Sequence, residues 1–136
     1  MRRRGGGAGA AADVLPNVHL LRQDDVGNAT FSNVGGSGGR LTEFDWDSNT
    51  VWYYDLSTDT QCTHHDFCVL PNGNVLLTVW NLISDADIIA EGRNPSSITA
   101  GKFWADSIIE VQPTLPSGGD IVWEWRAIDH LVQDYD

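Results

Sequence analysis

The side chains of this chain that can act on an ionisable or anionic partner are few and clustered. His64 and His65 are adjacent within Cys62-Thr63-His64-His65-Asp66-Phe67-Cys68, and His130 follows Asp129. Imidazole titrates near neutrality, so it serves as general acid, general base or nucleophile at physiological pH. Arg93 and Arg126 are the candidate anion partners, and Trp104, next to Phe103, is a candidate pocket wall. Side chains alternate along a strand, so only one of His64 and His65 is expected to enter a shared pocket. A zinc reading of Cys62, His64, His65 and Cys68 fits poorly. In an extended strand the two cysteines stand ~20 Å apart, and no second ligand pair of recognisable spacing occurs. The same distance disfavours a disulfide. Asp85, Asp87 and Glu91 do not follow a calcium-loop pattern. The chain has no Gly-x-x-x-x-Gly-Lys-Ser/Thr phosphate loop, so a nucleotide donor finds no cradle. No metal and no cofactor are expected.

The elements that must position these groups read as short strands. Val75 to Trp80 is β-branched and aromatic and follows the turn Pro71-Asn72-Gly73-Asn74. Arg40 to Asp45 and Thr50 to Tyr54 flank the polar turn Trp46 to Asn49, and Ser107 to Val111 is a further strand. Ile121 to Trp125 follows a Pro/Gly turn and places Ile121, Trp123 and Trp125 on one face. The one helix candidate is Ser84 to Glu91, capped by Ser84 or Asp85; a loop with one helical turn fits equally. Phe103 and Trp104 fall in a long loop, and Trp52, Trp80, Trp123 and Trp125 are expected in the core.

The chain also repeats itself. Val14-Leu15-Pro16-Asn17 recurs as Val69-Leu70-Pro71-Asn72 at an offset of 55, and His19 takes the turn position of Asn74, a structural role. Leu41-Thr42-Glu43-Phe44 matches Ile108-Ile109-Glu110-Val111 at 67, and Val51-Trp52-Tyr53-Tyr54 matches Val122-Trp123-Glu124-Trp125 at 71. Each unit holds up to four short antiparallel strands, the content of a propeller blade. The expected fold is all-β, with incomplete β-propeller-type blades at about 14–57 and 61–127, after a basic Gly/Ala-rich tail over 1–13.

Charge removes several function classes. The net charge is −11, and without the tail residues 13–136 carry 5 bases against 19 acids. Such a field repels nucleic acid and anionic membrane surfaces. No apolar run is long enough for a membrane span, and the tail lacks the apolar core of a signal peptide.

His64-His65-Asp66, Leu70-Pro71-Asn72-Gly73-Asn74, Trp104-Ala105-Asp106-Ser107-Ile108-Ile109-Glu110-Val111 and Trp123-Glu124-Trp125 followed by Asp129-His130 together resemble the bacterial arylsulfotransferase family. The resemblance covers roughly residues 14–136. It implies part of a six-bladed propeller, about two blades here, from a periplasmic or extracellular enzyme. That enzyme moves a sulfuryl group from a phenolic sulfate ester to a phenol without a nucleotide donor. Its partners would be aryl sulfates and phenols, with the missing blades supplied by a longer chain or by self-association. His65 and His64 match the family's first active-site histidine, with His65 favoured, leaving His130, Arg93, Arg126 and Trp104 as substrate-binding candidates. The family's His-x-Asn motif, its arginine and its nucleophilic histidine lie in later blades, so this chain alone is expected to be inactive. The rival expectation is a non-catalytic propeller-repeat module that binds protein or carbohydrate; a sulfate-ester hydrolase is a third.

Overall fold

The structure, a computed structural model, describes residues 20–25, 38–101 and 103–131. The basic tail, the first Leu-Pro-Asn turn and His19 lie outside the described residues. Those described fold as antiparallel β-sheet, as expected for an all-β chain. Strands β1 (Leu20–Asp25), β2 (Gly39–Phe44) and β3 (Thr50–Asp55) form one sheet in sequence order. Strands β4 (Gln61–Val69), β5 (Val75–Ile83), β6 (Phe103–Pro113) and β7 (Gly119–Arg126) form a second, also in sequence order. A meander of this kind needs only local turns, and the turn residues supply them. Gly73 takes a φ of 85° between β4 and β5, while the Asn72 side chain accepts from the Asn74 amide at 3.0 Å. Asp45 does the same between β2 and β3, accepting from the amides of Asp47 and Asn49 at 2.9 and 2.8 Å.

Strand β5 is buried at every second residue, Val75, Leu77, Val79, Asn81 and Ile83, as period-2 patterning dictates. Its inward face meets Ile109 and Val111 of β6 and then Leu41, Trp52 and Tyr54 of the first sheet in one apolar cluster. The two sheets are thus held face to face across that core. Trp52 fastens the join, since its indole N–H donates to the Gly118 carbonyl at 2.8 Å, in the turn between β6 and β7. Thr63 makes a second tie: its hydroxyl accepts from the Gly39 amide at 3.0 Å. A smaller cluster joins Ile83, Ala105, Ile128 and Ile88, the last from helix α1 (Asp85–Ala90). Ser84 caps that helix by accepting from the Asp87 amide at 3.1 Å.

The offsets of the repeat carry the pairing of one sheet onto the other. Leu41 pairs with Tyr54 and Glu43 with Trp52; Ile108 pairs with Trp125 and Glu110 with Trp123. In both sheets a bulge follows, between Glu43 and Phe44 and between Glu110 and Val111. The preceding strands agree as well, Leu20 opposite Phe44 and Val75 opposite Val111. Matching sequence therefore means matching backbone register, including its one irregularity.

Burial departs from the expectation at the matched aromatics. Trp52 and Tyr54 are 0% and 8% exposed, but Trp123 and Trp125 are 48% and 38% exposed. The first pair is covered by the second sheet, and no described residues cover the second pair in the same way. Phe103 and Trp104 are also corrected: they begin β6, opposite Ile83 and Leu82 of β5, and are not loop residues.

Candidate functional site

Strand β4 carries the histidines on an irregular stretch. Thr63 pairs with Val79 and Phe67 with Leu77, so β4 spends two more residues than β5 between those pairs. His64, His65 and Asp66 together stand opposite Thr78 alone. His65 takes a φ of 54°, in the left-handed region uncommon for residues with a side chain. The bulge is tied to β5 by Thr78, whose hydroxyl donates to the His64 carbonyl and lies 3.3 Å from the Asp66 carbonyl.

The bulge cancels the alternation expected of a regular strand. His64 stacks on Trp80 at 4.2 Å between ring centroids, and His65 meets the same indole edge-on at 5.8 Å. Both imidazoles therefore stand around one tryptophan, 5.2 Å apart. Their environments differ in the sense opposite to the one expected. His64 is buried and His65 is exposed. His64 Nε2 lies 3.2 Å from Asp106 Oδ1, an interaction that strengthens when the ring is protonated. Asp106 is the residue that sequence reasoning missed. It pairs with Trp80 across β5 and β6, so both side chains share the face on which His64 lies. The signal available was its polar character two residues from Trp104, on the side of β6 opposite the buried Ala105 and Ser107.

Burial holds the His64 imidazole below the usual histidine value, against the pull of the Asp106 carboxylate; the nearby His65 acts in the same direction as burial. His64 is accordingly neutral at pH 7 and able to accept a proton, with a carboxylate in place to stabilise the cation formed. Two consequences follow for titration. Replacing Asp106 by Asn removes the pull that raises the value, so the His64 midpoint, read from imidazole NMR signals, should fall further. The unfolded chain takes up a proton near pH 6.5 whereas folded His64 does so only at lower pH, so its contribution to stability is complete above about pH 6.5 and is lost as pH falls below it. The slope of Tm against pH just below about 6.5 should flatten in His64→Gln, and an unchanged slope would contradict the assignment.

The other sequence candidates are distributed over the second sheet. Trp104 shares the Asp106 face of β6, two residues away. His130, in a 3₁₀ turn after β7, stacks on Trp125 at 5.0 Å. Arg93 lies in the loop after α1 with its guanidinium over the Phe103 ring at 5.0 Å. Arg126 ends β7 opposite Ser107 and is exposed. The structure thus brings together His64, His65, Trp80 and Asp106, whereas Arg93 and His130 have their ring contacts elsewhere. Among the described residues Cys62, buried, and Cys68, exposed, are not joined in a disulfide. An open depression of about 190 Å³ is lined by residues of β4, β5 and β6, among them Asp66, Phe67, Cys68, Leu76, Thr78 and Ile108.

No family model, no curated protein and no solved structure matches this chain.

Proposed function

We propose that this chain is part of an arylsulfotransferase-like β-propeller, two blade repeats whose His64 and Asp106 act as a proton-transfer pair in sulfuryl transfer between phenols. The observation that carries the reading is the buried His64 imidazole, stacked on Trp80 and 3.2 Å from the Asp106 carboxylate, with His65 beside the same indole. In the reaction a sulfur–oxygen bond to the donor phenol breaks and one to the acceptor phenol forms. The bonding pair leaves with the donor oxygen, and one proton passes from acceptor to donor. With a histidine nitrogen from the other blades holding the sulfuryl group between the two bonds, neutral His64 takes the acceptor's proton as the acceptor oxygen displaces that nitrogen, Asp106 stabilises the resulting cation, and the proton passes to the released donor phenolate. His65, exposed at the same bulge, is placed to orient the anionic sulfuryl group. The nucleophilic histidine of the family has no counterpart among the matched residues, so the other blades would supply it.

The test is binding first and turnover second. Titration with 4-nitrophenyl sulfate should shift the imidazole signals of His64 and His65 saturably, and Asp106→Asn should alter the pH dependence of that binding. Joined by the remaining blades, release of 4-nitrophenol should depend on added phenol; release without phenol indicates hydrolysis. Imidazole signals that stay fixed as the ester is added would overturn the reading. A second reading, a repeat module that binds protein or carbohydrate without chemistry, is favoured by exposed Trp123 and Trp125. It predicts no response at the histidines.

A further inference from the structure

Asn72-Gly73 is the one place in the chain where glycine follows asparagine. Glycine has no side chain to screen its amide nitrogen, so that nitrogen can reach the carboxamide carbon of the asparagine before it. The pair sits at the tip of the β4–β5 hairpin, with Asn72 exposed and Gly73 at a φ of 85°. Such tips are among the segments of a fold that open most readily.

The closed turn holds both reacting groups. The Gly73 N–H donates to the Leu70 carbonyl at 2.9 Å, and the Leu70 N–H donates to the Asn74 carbonyl at 2.8 Å. The Asn72 carboxamide oxygen accepts from the Asn74 amide at 3.0 Å, and its nitrogen donates to Glu110 Oε1 at 3.4 Å. Attack on the carboxamide requires the Gly73 nitrogen to give up the proton that it shares with Leu70, and draws the carboxamide away from the Asn74 amide. The closed turn therefore opposes the reaction at the nucleophile and at the carbon attacked. Glu110 Oε1 also accepts from the Asn74 carboxamide at 2.5 Å. A half-buried carboxylate is thus held at this tip by two asparagine amides.

We propose that Asn72 is a site of spontaneous deamidation, gated by opening of the β4–β5 turn and locked in by Glu110. In the open turn a bond forms between the Gly73 nitrogen and Asn72 Cγ. The bond from Cγ to Nδ2 breaks, and that nitrogen leaves as ammonia with the Gly73 proton. Water then opens the five-membered ring. Cleavage at Cγ leaves an aspartate; cleavage at the main-chain carbonyl leaves an isoaspartate, whose backbone runs through the former side chain. Either product replaces an amide donor with a carboxylate at the tip that holds Glu110. Like charges then meet where a hydrogen bond stood, so the turn closes less readily than before. One opening becomes a lasting mark on the chain, and this holds whether or not the chain takes part in sulfuryl transfer.

Incubation of the full chain at neutral pH, folded and in urea, followed by peptide mapping that separates aspartate from isoaspartate, tests the gate. In urea Asn72 should convert fastest of the chain's asparagines, and Gly73→Ala should slow it there several-fold, where folded-state strain plays no part. In the folded chain conversion should be slower by about tenfold or more, as for a group released only through local opening. Equal rates in the two states would overturn the gate, and faster conversion at another asparagine in urea would overturn the site. The lock is read from urea midpoints. Asn72→Asp should lower the midpoint, and Glu110→Gln in the same chain should recover part of the loss. An unchanged midpoint in Asn72→Asp, or a loss that Glu110→Gln leaves untouched, would remove Glu110 from the proposal. Should Asn72→Asp fail to fold, restored folding on adding Glu110→Gln is the supporting result and continued failure the opposing one.

Discussion

Trp52→Ala is expected to destabilise the chain by about 3–5 kcal/mol, the range for emptying a large aromatic site in a core. The indole is fully buried between the sheets, stacks with Tyr54 at 6.3 Å and donates to Gly118 at 2.8 Å. Its loss therefore removes the apolar contact and leaves the part-buried Gly118 carbonyl without that donor. Domains of this kind have about 5–15 kcal/mol in total, so urea unfolding should show a large fall in midpoint. Trp123→Ala, at the register-equivalent position, should change the midpoint by less than about 1 kcal/mol because that indole is half exposed. The comparison holds residue type, strand position and cross-strand glutamate constant and varies only coverage. Equal losses at the two sites would show that the covering sheet is not what stabilises Trp52.

Gly119→Ala is expected to cost about 1–3 kcal/mol or more, for a steric reason. A β-carbon there would stand 2.5 Å from the Gln112 carbonyl oxygen and 2.8 Å from Val111 Cγ1. The first of these is backbone, held in the β6–β7 ladder opposite Asp120, so no rotamer change relieves it. Gly118→Ala separates overlap from backbone strain: nothing lies within 4 Å of its added carbon, but its φ is 83°, which costs an L-residue roughly 1–2 kcal/mol. Gly119→Ala should be the worse of the two. Because the Gly118 carbonyl receives the Trp52 indole, movement at Gly119 should also loosen that bond. Gly119→Ala and Trp52→Ala should then fall short of additivity in a double-mutant cycle. Simple addition would mean that the β6–β7 turn absorbs the clash without disturbing the join between sheets.

The extent to which sequence disclosed this molecule follows from what each signal measures. Strands β2, β3, β5 and β7 were legible because alternation and β-branched content act locally, and so was the Ser84 cap. Strand β6 extends back to Phe103 because cross-strand pairing with Ile83 and Leu82 outweighs the loop-like Gly and Ser before it. The histidine geometry was illegible for a definite reason. Strand alternation assumes a regular strand, and the bulge that places both imidazoles on Trp80 depends on how β4 and β5 pair. The exposure of Trp123 and Trp125 was illegible too, since residue type states what a side chain would gain from cover and not whether cover is there. Asp106 escaped notice because its importance is relational: it becomes a partner of His64 only through the β5–β6 register.

The bulge of β4 has a second consequence, for how the chain behaves in company. Strand β4 is an edge of its sheet, and a flat edge offers a row of free amides and carbonyls onto which another molecule can zip. Near its start the row is taken up locally, with Gly38 donating to the Thr63 carbonyl and the Thr63 amide donating to Leu56, each at 3.0 Å. Farther along, two surplus residues and the left-handed turn at His65 break the even spacing that an incoming strand would need. The Phe67 amide is turned to the Asp66 side chain at 2.8 Å. The distortion that gathers both imidazoles on Trp80 thus also makes this border a poor template for amyloid-like growth.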